Sequence, residues 1–176
     1  KNFKNLKAIS IITAAGLGLR LKEYSFKKYG KYLDKPLVDF KGKSLLYWSI
    51  KPFFPLITNG ILNFSDIYIV IRKEQDFEAF KKECKSIHEL INIIRIEKLS
   101  KGPAHTAFEA LKKISTLRNI SSRSVIVSDS DHTFRCDGLI KEFRGGNRFN
   151  AFCTLKNVPN PEKWGYIMKN DMGDFI

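Results

Sequence analysis

The chain is poor in residues that staple, thread or anchor a protein. Among 176 residues there are three cysteines, Cys84, Cys136 and Cys153. They are widely spaced, without Cys-x-x-Cys or Cys/His ligand spacing. That argues against a disulfide framework or a zinc site and fits a reducing cytoplasm. No apolar run reaches the roughly eighteen residues of a membrane span, so no membrane insertion is expected. Histidine is scarce as well, three in all. Two of them, His105 and His132, fall inside the motif segments described below. They make no ligand set, and polar lining suits them better than zinc. Acidic residues are few: 18 against 31 basic ones, a net charge of +13. The lysines are spread along the chain, with no block of five or more. A basic tail for nucleic acid or acidic lipid is therefore lacking. So is an aromatic-basic patch of the single-strand-binding kind, and no nucleic-acid partner is expected. The charge reads as a solvated surface with one local positive funnel around Arg20 and Lys35. Repeats, low-complexity segments and linkers are absent too.

What is present suffices for one sizeable core: the chain is 43% hydrophobic, and a single domain over 1–176 is the default. Short β-branched runs stand at Ala8–Thr13, Asp66–Arg72, Ile91–Ile96 and Arg123–Ser128. Between them, helical spacing covers Ser44–Lys51, Glu74–Leu90 and Ala104–Ile114. In and just past Glu74–Leu90 the residues Phe77, Phe80, Cys84, Ile87 and Leu90–Ile91 form one apolar stripe. Asn59–Asn63 and Arg118–Ser122 read as surface turns. Alternation of this kind builds right-handed βαβ units, hence an α/β, Rossmann-like, mostly parallel sheet with helices on both faces. In such sheets ligands bind beyond the carboxyl ends of the strands.

Three polar segments begin where an expected strand ends, which puts them on one edge of one sheet. The first is Ala14-Ala15-Gly16-Leu17-Gly18-Leu19-Arg20. A strand that empties into Gly-x-Gly brings bare backbone N–H groups close to a ligand, usually a phosphate. It is neither a dinucleotide loop, which needs a third glycine, nor a P-loop, which needs Gly-Lys-Ser/Thr. Instead Arg20 and, in Asp34-Lys35-Pro36-Leu37, Lys35 add two fixed cations. The plainer reading is a tight turn with solvated cations, and Asp34 as a turn residue ahead of Pro36. The second segment is Lys98–Ala104, with Gly102-Pro103-Ala104 opening a helix. The third is Val125-Ile126-Val127-Ser128-Asp129-Ser130-Asp131. Two carboxylates one residue apart after a buried strand crowd the same spot, and a hard divalent cation relieves them. An Asx-turn is the plainer alternative.

These segments, in this order, resemble the nucleotidyltransferases that join an NTP to a phosphorylated sugar or related alcohol phosphate. A fourth segment, Pro161-Glu162-Lys163-Trp164-Gly165-Tyr166-Ile167, is similar to the family's Pro-x-x-aromatic-Gly stretch near the acceptor. The resemblance runs from Lys7 to Ile167 and points to the branch of capsule and surface-polysaccharide biosynthesis. It implies a GT-A-like fold and Mg²⁺, or Mn²⁺ in its place, on Asp129 and Asp131. It places the nucleotide on Ala14, Ala15, Gly16, Gly18, Arg20, Gly102, Pro103 and Ala104. Catalytic cations would be Arg20 and Lys35, and acceptor contacts Trp164, Gly165 and Tyr166. CTP or another pyrimidine nucleotide is weakly favoured, and the oligomeric state is left open. Trp164 and Tyr166 have core packing as an equal alternative. The chain opens on Lys1 rather than methionine, so a start after the natural one, or after processing, is expected. A second metal aspartate and much of the acceptor site are expected past Ile176, in a missing C-terminal portion. Two other readings stay open: a metal-dependent glycosyltransferase with Asp-x-Asp on a nucleotide-sugar, and a non-catalytic nucleotide-binding module. The glycosyltransferase does not need Gly-x-Gly-x-Arg or Lys-Pro-Leu.

Overall fold

A strand covered on both faces reads as an unbroken apolar run rather than as an alternation. All six residues of β1 (Ala8–Thr13) are buried, as are all six of β4 (Ile67–Arg72). The computed structural model describes residues 7–97, 99 and 101–145. Chain order runs from β1 to α1 (Leu19–Tyr29), then through a 3₁₀ turn at Lys35–Leu37 to the hairpin of β2 (Asp39–Phe40) and β3 (Lys43–Ser44). Next come α2 (Leu45–Ile50), α3 (Phe54–Thr58), β4, α4 (Phe77–Ile87) and β5 (Asn92–Ile96). The last described elements are α5 (Pro103–Leu117), β6 (Ser124–Asp129) and α6 (Asp137–Gly145).

The central sheet has the order β5-β4-β1-β6, and every pairing in it is parallel. Strand order therefore reverses at β1, with β4 on one side and β6 on the other. The register sets Thr13 opposite both Val70 and Asp129, so three strand ends meet at the switch point, where ligands enter sheets of this kind. Helices cover both faces, and the fold is the α/β, Rossmann-like one that the alternation implies. On one face α5 lays Ala107, Ala110 and Ile114 against Ile9, Ile11, Val70 and Ile94. On the other, α2 to α4 and α6 bring Leu46, Leu56, Phe80 and Phe143 against Ile12, Ile67, Ile69 and Ile71. Each Val, Ile, Leu or Phe side chain among them, when fully buried, contributes about 1.5–3 kcal/mol relative to exposure.

Side-chain caps close two of the helices: Ser44 accepts from Tyr47 N–H at 2.9 Å, and Asp76 accepts from Ala79 N–H at 3.0 Å. They satisfy donors that a helix start leaves without partners. At the amino-terminal edge of the sheet, Asp66 is only 1% exposed. It accepts hydrogen bonds from Arg118 at 2.5 Å, Arg123 at 2.5 and 3.0 Å, and Asn63 at 3.1 Å. Arg118 therefore ties the α5–β6 connection down; the segment is more than a surface turn.

Several elements depart from the sequence reading. The helix expected over Glu74–Leu90 is shorter. It ends at Ile87, and Leu90 stands 52% exposed. The helices α1, α3 and α6 and the β2–β3 hairpin were not anticipated. In α1 only Ser25 is buried, so no apolar stripe advertises it. The strand β6 is half-buried. Ile126 packs on the core, while Val125 and Val127 are 41% and 48% exposed. Among the described residues β6 is an outer strand of the sheet. Cys84 and Cys136 are buried, free thiols; burial pushes Cys84 up to about 12. Cys153 lies outside the described residues.

Candidate functional site

The cavity at the switch point is built from the ends of β1 and β6, the Lys35–Leu37 turn and the start of α5. It has a volume of about 360 Å³, within the range that holds small ligands. Its walls bring together Ala14, Ala15, Gly16, Gly18, Lys35, Gly102, Pro103, Asp129 and Asp131. Those residues lie as much as 117 positions apart, and they come from all three polar segments of the sequence reading.

The two glycines of the first loop do different things. Gly18 sits in the left-handed region at φ 61° and starts α1. A Cβ there would lie 2.9 Å from Lys35 Cβ, so bare backbone is what lets the lysine turn press against the loop. Gly16 needs no such conformation, and a Cβ on it would meet nothing within 4 Å. Its lack of a side chain leaves open space on the cavity wall. Gly102, at φ 150°, starts α5 with Pro103 in its first turn. The positive end of this fifteen-residue helix dipole faces the cavity.

Asp129 closes β6 and is gripped from two sides. Thr13 Oγ1 donates to its Oδ1 at 2.9 Å, and His132 Nδ1 lies 3.1 Å from its Oδ2. The His132 hydrogen bond, helped by Thr13 and the charge of Lys35, holds the carboxyl below its ordinary range despite burial. The same hydrogen bond raises His132, seconded by the charge of Asp131. Asp131 lines the same cavity. It forms an ion pair with Lys35 Nζ, so the anticipated carboxylate crowding is relieved by a lysine of the chain itself.

Arg20 and Ala104, both expected at the nucleotide, stand outside the cavity walls, as does His105, expected as polar lining. Arg20 is exposed on the first turn of α1, about 140° around the helix from the one buried position, Ser25, at about 100° per residue. Ala104 and His105 are exposed at the start of α5. Lys98 and Ser100 of the second segment, and Trp164, Gly165 and Tyr166, lie outside the described residues. Three residues absent from the expected site help to build it: Thr13 on Asp129, and Arg72 with Gln75 beneath the glycine loop; His132, expected as polar lining, lines the cavity and holds the other oxygen of Asp129. A signal for Arg72 was present, since a charged residue closing an apolar parallel strand belongs to the ligand edge.

The donor set can be compared with what metals require. Among the described residues no group of three or more His, Cys, Asp or Glu could hold an ion. Mg²⁺ is commonly held by one or two carboxylates, the rest of its shell being water and substrate phosphate. Asp129, kept ionised at the cavity wall, fits that requirement; a site made wholly of protein ligands does not.

No family model and no curated protein matches this chain. Among solved structures, it is similar in fold to a nucleoside-diphosphate-sugar pyrophosphorylase from Vibrio cholerae RC9, with a TM-score of 0.50 and 18% identity. The match covers 70% of this chain and 47% of that one, so the chain spans about half the length of this neighbour. Among the described residues no helix is long and apolar enough to cross a membrane.

Proposed function

We propose that this chain is the nucleotide-binding part of a nucleotidyltransferase that joins an NTP to a phosphorylated sugar or related phosphate and releases pyrophosphate. One observation carries the reading. A loop of bare backbone, a helix start, a lysine and an ionised aspartate converge on one cavity at the switch point of a parallel sheet. The fold shared with a nucleotide-sugar pyrophosphorylase is consistent with it.

In the reaction, an oxygen of the acceptor phosphate forms a new bond to the α-phosphorus of the NTP. The bond from that phosphorus to the β-phosphate's bridging oxygen breaks in line, and pyrophosphate carries away the electron pair. The nucleophile is already anionic near neutral pH, so no general base is required. The protein's task is to hold two mutually repelling polyanions and to offset the charge that develops between them. Backbone N–H groups of the glycine loop and the start of α5 supply fixed partial positive charge. Lys35 meets the α-phosphate or the acceptor, exchanging Asp131 for phosphate oxygen. Arg20, on the outer side of α1, meets the outermost phosphates of a ligand that extends past the loop. Asp129 would hold Mg²⁺, which when bound neutralises phosphate charge and polarises the reacting phosphorus. Thr13 and His132 keep the Asp129 carboxylate aimed and ionised. The pyrimidine preference, the acceptor role of Trp164, Gly165 and Tyr166, a cytoplasmic place and a part in capsule or surface-polysaccharide synthesis belong to the same proposal.

The glycine loop and Lys35 at the cavity wall, which a glycosyltransferase does not need, weigh against that reading. The test is pyrophosphate release from CTP, UTP, dTTP and GTP with a panel of sugar and alcohol phosphates, with and without Mg²⁺. Release that needs one NTP, one acceptor and Mg²⁺ is expected. Hydrolysis of a nucleotide-sugar with no use of any triphosphate would overturn the assignment.

A further inference from the structure

The glycine loop is held from behind by the end of the neighbouring strand. β1 is prolonged past Thr13 by Ala14 N–H, which donates to Val70 O at 2.8 Å. The next two carbonyls leave the sheet ladder and are taken by side chains. Gln75 Nε2 donates to Ala14 O at 3.1 Å, and Arg72 Nη1 donates to Ala15 O. The two side chains are locked to each other. Gln75 Oε1 accepts from Arg72 N–H at 2.7 Å, and Gln75 N–H donates to Arg72 O at 3.2 Å. Arg72 is 9% exposed and Gln75 5%, and neither lines the cavity. Among the described residues the acid paired with Arg72 is Glu74, 3.6 Å from Nε, whose side chain is 64% exposed. An exposed pair of that kind offsets little of the guanidinium's charge.

This arrangement has a directional consequence. The C=O and the following N–H of a trans peptide point to opposite sides. Pulling the Ala14 and Ala15 carbonyls toward β4 therefore turns the N–H groups of Ala15 and Gly16 the other way. The cavity's carboxylate wall stands on that side, since β6 flanks β1 opposite β4. A buried cation behind the loop also adds to the positive potential that a polyanion meets in front of it. We propose that Arg72 and Gln75 are positioning residues. They clamp the carbonyls of the glycine loop and so set its affinity for a polyphosphate that they never touch. The inference rests on the reading of this cavity as a triphosphate site.

The probe is inorganic tripolyphosphate with Mg²⁺, measured by calorimetry on the full chain, so that no choice of base enters. Parent protein should bind it, and Lys35→Ala should weaken the binding. Arg72→Met and Gln75→Met, which keep volume and remove the donors, should weaken it at least about tenfold. Gln75→Glu is the second route if Arg72→Met does not fold: it keeps size and the acceptor for Arg72 N–H, but sets a carboxylate against Ala14 O. It should weaken binding at least as much. Amide exchange at Gly16 should quicken in each clamp variant. Arg72→Lys should restore the melting temperature without restoring affinity, because one ammonium does not reproduce the fork. Turnover should show a raised KM for the NTP with kcat within about threefold, the pattern of lost uniform binding. Binding within twofold of parent in all clamp variants, with Lys35→Ala still weakened, would overturn the clamp alone. Affinity and melting temperature restored together by Arg72→Lys would also overturn it, as packing. A parent that binds no tripolyphosphate at any Mg²⁺ concentration would overturn the triphosphate reading and the clamp with it.

Discussion

The two edges of the central sheet treat an aspartate in opposite ways. At the amino-terminal edge Asp66, 1% exposed, is enclosed by Arg118, Arg123 and Asn63. At the carboxyl edge the Asp129 side chain is 39% exposed. It is gripped by Thr13 and His132 and opens on a cavity. Both carboxyls titrate below their ordinary range, for different reasons. Burial alone would push Asp66 up, but the hydrogen bonds of Arg123 and Arg118 outweigh it. At Asp129 the hydrogen bond from His132 leads. A carboxylate whose acceptor sites face cations on every side is a structural clamp. One held from behind and left open in front is fit to take a ligand. The contrast separates structural from functional charge where residue type alone does not.

The contrast is broken most severely by Asp66→Ala. It strands two guanidinium groups against the sheet and should lower stability by about 3–5 kcal/mol, the usual effect of removing one partner of a buried pair. Chemical denaturation measures the loss, and pyrophosphate release per folded molecule should stay unchanged. Asp129→Asn should do the reverse. Turnover and its Mg²⁺ dependence should fall about 10²–10³-fold, with the denaturation midpoint nearly in place. A Mg²⁺ titration that keeps its midpoint in this variant would return Asp129 to the role of a turn residue.

A finer test lies within the carboxyl edge itself. Lys35 lines the cavity and Arg20 does not, so Lys35→Ala should slow pyrophosphate release more than Arg20→Ala. The loss is about 2–4 kcal/mol in transition-state terms for a direct contact; a larger loss at Arg20 would reverse the roles given to the two cations. Gly18→Ala and Gly16→Ala divide in the same way. Gly18→Ala should cost about 1–2 kcal/mol of stability for the left-handed backbone, and more where Lys35 must move. Gly16→Ala should leave the melting temperature alone and weaken NTP binding. The smallest effect is that of pH on the closed edge. The Asp66 carboxyl titrates lower folded than unfolded, so its contribution is complete above its ordinary value of 3.8. That contribution drains away as pH falls through the lower folded value. Asp66→Asn should flatten that part of an acid-denaturation profile.

Much of the fold is legible in residue pattern. The β-branched runs locate β1, β4, β5 and β6 to within a residue or two, and the stripe of Phe77, Phe80 and Cys84 locates α4. Strand ends followed by Gly-x-Gly, Gly-Pro and Asp-Ser-Asp place three segments on one edge of the sheet. The helix α1 escapes because its single buried residue is Ser25, and hydrophobic spacing has nothing there to register. Leu90 misleads for the converse reason: it continues the spacing after the chain has turned out of the helix at His88.

Sequence by itself determined the four strands of the central sheet, the helices α2, α4 and α5 and the edge on which the polar loops gather, since periodicity and backbone chemistry act over a few residues. Tertiary structure alone decided which polar groups meet. Thr13 faces Asp129 across 116 positions, Lys35 pairs with Asp131 across 96, and Arg72 reaches back 57 positions to Ala15. Those pairings follow from strand register and from turns packed at one crevice. They are non-local, and no short-range pattern along the chain encodes them.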